Sequence, residues 1–412
     1  MLNSLISVAS LMASTLLMMT GYGLMNYLVQ IRALAEGWST LSISIIATGY
    51  TCGFVVAGLV VPKLVQRVGH VRVFGAVITL LTVSCLSCSL VVNEFAWFAF
   101  RGLAGFAIAG AYMIIESWLN ERVNNENRGS LFSFYMVTSL VGSIAGQYFV
   151  PLGDPLTTGL FITCGIIFSF ALLPTTLSSA QSPMPISQGK FDLPKLFRRS
   201  PIAFIGSLLS GALWGTWGSL GGVFAQRIGF TTAEGATLLA ACLAGGAIFQ
   251  IPIGRLSDKF DRRLVMIGCG LIGGLACVVM GLVGANVVTY IAAFVLGIGL
   301  FPIYALNAAH ANDLADPQEY VTISSGIMIL YGLGTVGGPL LSGVVMNATG
   351  PIGMIWLMMI LFVIYAAYAA WRRTRRADLE GVVDKTDFQA MAVPINATDP
   401  VNSPGSALSE EI

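Results

Sequence analysis

The stretch Gly254-Arg255-Leu-Ser-Asp258-Lys259-Phe-Asp261-Arg262-Arg263 concentrates charge of both signs in a chain where only 10% of residues are charged. Carboxylates and guanidinium groups so close together can do ionic chemistry. Gly254 stands one helical turn before Asp258 and lets a neighbouring helix approach closely. A carboxylate at Asp258 can then hold a helix N-terminus or pair with an arginine. Such a clasp can form in one conformation and break in another, which makes it a latch. Lys259, Arg262 and Arg263 are its basic members, and Asp313 is counted with it. The plainer alternative is a solvated basic loop, which leaves Asp258 and Asp261 unexplained.

Two further charges stand inside an apolar run. An ionised side chain at mid-membrane costs roughly 2.5–3.5 kcal/mol on insertion scales. Arg101 is either a structural arginine on backbone carbonyls or an anchor for an anion. A third role is tuning the proton affinity of a carboxylate. Glu116 lies about 22 Å further along the same helix, too far to pair with Arg101. It is either a gate carboxylate for Arg67, Arg72 or Arg128, or a protonatable carrier for proton coupling.

The remaining candidates are neutral. Asn26 and Gln30 share a face by their i, i+4 spacing. Trp214 and Trp217 lie within a glycine-dense helix and offer an aromatic wall. Tyr304 and Asn307 follow Pro302, which frees a backbone carbonyl. These six and Arg101 are the substrate-cavity candidates; inter-helix hydrogen bonding and packing are the alternative. His310, beside Asn312 and Asp313, reads as helix-end structure. His70 is placed on a loop in the other half. Cys85 and Cys88 read as packing residues, because no His or acid accompanies them. No metal site or cofactor is expected.

These side chains need elements to position them. Hydrophobic residues make up 56% of the 412. Charged residues reach about 25% in ordinary soluble domains, so this composition belongs in a bilayer. Roughly twelve apolar runs have the length a helix needs to cross hydrocarbon, at about 5–28, 40–65, 71–92, 95–119, 130–152, 157–177, 201–225, 232–255, 264–284, 286–308, 321–346 and 352–371. No sustained period-two alternation marks a membrane β-barrel. Placing residue 1 inside puts nearly all Lys and Arg in or beside inside loops and the C-terminal tail. The exceptions are Arg32, Arg101 and Arg227. Both termini are therefore expected in the cytoplasm.

The expected organisation is an all-α membrane protein of twelve transmembrane helices in two six-helix bundles, 1–177 and 201–371. A Ser-, Pro- and Lys-rich cytoplasmic linker spans 178–200, and a polar, disordered tail spans 372–412. One ungapped offset superposes Gly37 on Gly229, Gly53 on Gly245, Gly105 on Gly297, Glu121 on Asp313, Gly142 on Gly334 and Gly146 on Gly338. That repeat predicts two parallel bundles related by an axis along the membrane normal, with a site between them.

The latch segment Gly254-x-x-x-Asp258-Lys259-x-x-Arg262-Arg263 resembles the inter-helix signature of the major facilitator superfamily. The copy in the first half reads PKLVQRVGHVR, residues 62–72. Arg67 and Gly69 match, whereas Pro62, Gln66, His70 and Val71 replace the first Gly, the Asp and the paired Arg. Arg101-x-x-x-Gly105-x-x-x-Ala109-Gly110 resembles the superfamily's fourth-helix arginine motif, with Ala104 where Gln is usual. ESWLNER and NRG, within 113–147, resemble a poorly characterised bacterial branch, YcaD-like. The Gly-Pro element common in the fifth helix of proton-driven drug antiporters is displaced. Gly338-Pro339 stands in span eleven instead.

The resemblance implies a secondary active transporter of a small solute across the inner membrane, working by alternating access. Proton coupling is open, and multidrug or metabolite efflux by proton antiport is one alternative. A non-transporting solute sensor or partner protein on the same fold is another. No nucleotide-binding loop of the Gly-x-x-x-x-Gly-Lys-Ser/Thr kind occurs. No nucleophile–base pair supports an enzyme. The expected partners are a small-molecule solute, protons and lipid, with no nucleic acid, and the chain is expected to be a monomer.

Overall fold

The computed structural model describes residues 2–121, 128–177, 192–315 and 319–375. Most of the expected linker and tail therefore lie outside the described residues. So do Arg122, Lys190, Arg376 and Lys385, and the side chain of Arg128 is not described.

The described residues form helices and no strand. The first half contains α1 (Leu2–Ala35), α2 (Thr40–Val68), α3 (His70–Leu90), α4 (Glu94–Glu121), α5 (Arg128–Gln147) and α6 (Gly159–Thr176). A short helix α7 (Leu193–Arg199) follows. The second half contains α8 (Pro201–Arg227), α9 (Thr232–Lys259), α10 (Arg262–Val283), α11 (Val287–Leu300), α12 (Pro302–Asp313), α13 (Tyr320–Thr349) and α14 (Pro351–Arg375). Nine segments among the described residues are long and apolar enough to cross a membrane, with α11 and α12 together forming one of them. Adding α1, α5 and α8 gives a set consistent with twelve spans. Exposed Leu59, Ile166, Leu275 and Ile291 give the helices the apolar outer faces that lipid requires.

Local chemistry explains the boundaries. Ser39 caps α2 by accepting from Ser42 N at 3.0 Å. Asn93 accepts from Phe95 N and Ala96 N at the start of α4. Thr231 and Glu234 form a reciprocal capping box on α9. Gly69 takes φ 83°, so α2 turns directly into α3. His70 is therefore the first residue of α3 and is buried, where a loop was expected. Part of the expected linker is also ordered. Asp192 caps α7 by accepting from Lys195 N, and Pro194 occupies the first turn. Leu196 of α7 is buried against Ile323 and Ile327 of α13, while Lys195 and Arg199 pair with Glu319.

By packing, the chain falls into two units whose boundaries cut through α8, α9, α13 and α14. The first holds residues 1–186, 217–243 and 339–354. In it α1 packs on α5 and α6, α2 on α4, and α3 on α4 and α6. The second holds residues 187–216, 244–338 and 355–412. In it α10 packs on α11 and α12, and its Gly270 and Gly273 receive Phe362 of α14.

Small residues set these contacts, as they do between membrane helices generally. Gly53 abuts the main chain of Gly102, and Gly245 abuts that of Phe294. Gly142 abuts Leu16, and Gly334 abuts Leu208. Gly146 abuts Thr20, and Gly338 abuts Ala212. The second member of each pair follows from the first by the offset that superposes the two halves of the sequence. The repeat is therefore a repeat of contacts as well as of residue types.

A side chain at Gly338 would strike the main chain of Ala212, whereas nothing lies within 4 Å of one at Gly337. Gly338→Val is expected to cost roughly 1–3 kcal/mol by overpacking. Gly337→Ala should stay within about 0.5 kcal/mol of the parent. Thermal unfolding in detergent measures both, and equal effects would refute this contact.

Candidate functional site

α1 meets the second half of α8 and the first half of α9 inside the first unit. Gln30 is 3% exposed, and its amide does two things. Its Nε2 donates to Gly218 O at 2.9 Å. Its Oε1 accepts from Gly222 N at 2.8 Å. Gly218 O and Gly222 N stand at the i, i+4 spacing of one ladder bond in the continuous helix α8. The Gln30 amide thus bridges the two ends of one helical hydrogen bond. This needs close approach: a Cβ on Gly222 would come within 2.8 Å of Gln30 Oε1.

Asn26, one turn earlier, donates from Nδ2 to the same Gly218 O at 3.2 Å. Asn26 and Gly218 stand 192 residues apart, and so do Gln30 and Gly222. That is the repeat offset. At these two levels a residue of α1 therefore meets its repeat-equivalent on α8.

Tyr27 extends the contact. Its hydroxyl donates to Thr232 O at 2.7 Å, at the start of α9. Gly235 leaves room for that hydroxyl. On α2, Thr40 Oγ1 donates to Gly343 O of α13 at 3.1 Å. Tyr148 OH donates to Thr237 Oγ1 at 3.2 Å. The ends of α1 and α2 are thus tied to α8, α9 and α13 by hydrogen bonds rather than by ion pairs.

Arg101 joins this network from α4. Its Nη2 donates to Asn26 Oδ1 at 3.1 Å, and its guanidinium lies 4.8 Å from the Tyr50 ring centroid. Arg101 is 4% exposed, and its Nε has no hydrogen-bond partner. Asn26 therefore links the buried cation to the main chain of α8. Three residues singled out in the sequence, Asn26, Gln30 and Arg101, come together here.

The other cavity candidates divide between the two units. Trp217 is buried within the first unit. Trp214, Tyr304 and Asn307 belong to the second. Trp214 packs edge-on to Phe301, and Tyr304 edge-on to Tyr331, each at 4.9 Å. Asn307 is fully buried, accepts from Tyr365 OH at 3.3 Å, and lies against Gly206 of α8. Its Nδ2 has no partner.

The charged segment between α9 and α10 is organised around Arg262, which is 2% exposed. Its Nη1 donates to Asp258 Oδ1 at 2.9 Å and to Ser257 Oγ at 3.0 Å. Its Nε donates to Asp313 Oδ2 at 2.6 Å. One arginine so joins the ends of α9, α10 and α12. Asp261 caps α10 through Arg263 N, and its other oxygen accepts from Arg373 of α14 at 3.3 Å. Arg263 lies 3.6 Å from Asp261. Gly254 is buried and its carbonyl accepts from Ser257, whereas Lys259 is exposed.

The equivalent place in the first half is built differently. Sliding by the repeat offset brings His70 onto Arg262 and Gln66 onto Asp258. His70 is buried and its Nε2 lies 3.1 Å from Ser117 Oγ of α4. Arg67 is exposed on α2, as is Arg72 on α3. Glu116 is half-buried and accepts from Tyr135 OH of α5 at 3.5 Å. His310 is buried near the end of α12.

Sequence reasoning missed Tyr27, whose signal was the pair of glycines, Gly222 and Gly235, that make space for it. It also missed the partners of Asn26 and Gln30, because a polar residue paired with a glycine does not look like a repeat.

The Major Facilitator Superfamily profile matches residues 11–247 and 202–402. An uncharacterized MFS-type transporter, YcaD, from Escherichia coli (strain K12 / DH10B) is 26% identical over 347 residues, covering 82% of this chain and 88% of that one. An uncharacterized MFS-type transporter from Yersinia pestis (strain Pestoides F) is 26% identical over the same length and coverage. Among solved structures, the nucleoside transporter NupG superposes with a TM-score of 0.73 at 16% identity, covering 88% of this chain and 96% of that one. A bacterial homolog of the human lysosomal transporter Spinster, in an inward-facing and unoccupied conformation, gives 0.73 at 14%, covering 89% and 96%. At such identities these structures bear on the fold alone. A polytopic all-helical chain, built as a repeat and matched along most of its length, belongs to the Major Facilitator Superfamily.

Proposed function

We propose that this protein is a secondary active transporter that carries a small solute by alternating access, with Asn26, Gln30 and Tyr27 forming its outer gate. The observation that carries the reading is the Gln30 amide seated between Gly218 O and Gly222 N. These bonds are few, neutral and short-range. When the amide withdraws, Gly218 O and Gly222 N stay within the continuous α8 ladder, so opening leaves no buried main-chain group orphaned. A gate built this way switches at low cost. Placing residue 1 in the cytoplasm puts this gate on the outer side. In this reading residues 1–177 and 201–371 are the two moving bundles and 178–200 is the linker. The membrane is the inner membrane, the chain acts as a monomer, and Glu116 is the proton-coupling candidate.

The gate is tested by accessibility. Gly218 has open space where a side chain would project. Gly218→Cys, in a Cys52→Ser background that removes the exposed native thiol, reports on the gate through maleimide labelling from outside. Each lost hydrogen bond is worth about 1 kcal/mol net. Adding Gln30→Ala removes its two bonds to α8, so labelling should quicken by about tenfold or more. An unchanged rate would remove Gln30 from the gate.

The Arg262 cluster reads as a brace that keeps α9, α10 and α12 moving as one body. Asp313 is 11% exposed and Asp258 31%. Asp313→Asn should destabilise the protein by roughly 3 kcal/mol, because it leaves a buried guanidinium short of its charge partner. Asp258→Asn should cost under about 1 kcal/mol. The reverse order in thermal unfolding would refute the brace.

Proton coupling through Glu116 has its own readout. In proteoliposomes Glu116→Gln should abolish solute movement driven by a pH gradient and leave solute exchange intact. Loss of exchange as well would make Glu116 a gate residue instead.

A further inference from the structure

Three arginines are buried among the described residues: Arg101, Arg262 and Arg263. Arg262 is held by Asp258 and Asp313, and Arg263 is close to Asp261. Arg101 is different. Among the described residues no Asp or Glu lies at ion-pair distance from it. Its contacts are one neutral oxygen, Asn26 Oδ1, and the face of Tyr50. Its Nε is buried and unpartnered. A buried cation without a counter-charge is costly. The groups around it are partly exposed: Tyr22, Asn26 and Tyr50, with the Tyr22 and Tyr50 rings 6.1 Å apart and Phe54 6.2 Å beyond Tyr50. A guanidinium fork with free donors, next to aromatic faces, suits a planar or tetrahedral oxyanion with an apolar body.

We infer that the transported solute is a small organic anion whose carboxylate or phosphoryl group binds Arg101, and that this binding unlocks the outer gate by taking Arg101 away from Asn26. The inference rests on the alternating-access reading above and names its substrate class. A charged oxygen is a stronger acceptor for a guanidinium than the amide oxygen of Asn26. Once Arg101 turns to the anion, Asn26 loses the bond that orients it, and its hold on Gly218 O weakens. The solute then supplies the differential interaction that a ligand-driven conformational change requires.

The experiment uses the full chain with acetate, benzoate, succinate, phenyl phosphate and inorganic phosphate as probes, and chloride as the simple-anion control. Thermal unfolding is followed against each probe. At least one organic probe should stabilise the parent more than chloride does at equal ionic strength. Its affinity should fall by about tenfold or more in Arg101→Gln. Arg101→Lys should also weaken it, because lysine keeps the charge without the fork. Asn26→Ala leaves the cation intact and removes its competing acceptor, so it should bind the probe more tightly. The stabilising probe should also speed labelling of Gly218→Cys in the parent gate.

No stabilisation by any organic probe, or equal affinity in Arg101→Gln, would overturn the anion assignment. Binding without faster labelling would overturn the unlocking. If no probe binds while Gln30→Ala still opens the gate, the transporter reading stands and only the substrate class falls. If Gln30→Ala leaves labelling unchanged as well, the gate reading falls with it.

Discussion

One amide depends on everything around it. Gln30 can bridge Gly218 O and Gly222 N only if α1 and α8 come close enough to exclude a β-carbon between them. That closeness requires the glycines of α8, and it places α1 against α9 through Tyr27. The amide also needs a partner helix whose main-chain groups a side chain can reach, which Gly222 allows. The rest of the network follows from that contact. Asn26 reaches the same carbonyl because it lies one turn earlier on the same face, and Arg101 reaches Asn26 because α4 lies close to α1.

The two ends of the charged architecture solve the same problem by different chemistry. At the junction of α9 and α10, a permanent cation is shared between two carboxylates, and the three helix ends it touches are fixed together. At the junction of α2 and α3, the equivalent position carries His70, hydrogen-bonded to Ser117. A glycine turn at Gly69 replaces the capping Asp261. The α9–α10 junction is thus braced by a shared cation, where the equivalent first-half position carries an imidazole–hydroxyl contact.

Much of the fold was legible in the sequence, because bilayer helices must be long and apolar. Span ten was read as one run, and it divides at Phe301–Pro302, where proline withholds a donor. Helix α7 escaped notice because it is short and polar; its signals were Asp192 as cap and Pro194 in the first turn. His70 was placed in a loop because nothing in the sequence shows that α2 and α3 join through a single glycine. Of the site, Asn26, Gln30 and Arg101 were legible as polar residues in apolar helices. Their mutual contact was not, since it depends on which glycine faces which amide across a distance of half the chain.

That pairing also bears on ancestry. In these contacts residues of α1 meet their repeat-equivalents on α8. Two identical copies would therefore set Gln against Gln and Asn against Asn at these levels, or glycine against glycine. The first arrangement is too bulky for the backbones to meet, and the second has no side chain to hold them. A lock of this kind requires one copy to keep the amide while the other shrinks to hydrogen. This amide-on-glycine contact is therefore a product of divergence between the two sequence halves, and two identical halves could not have formed it.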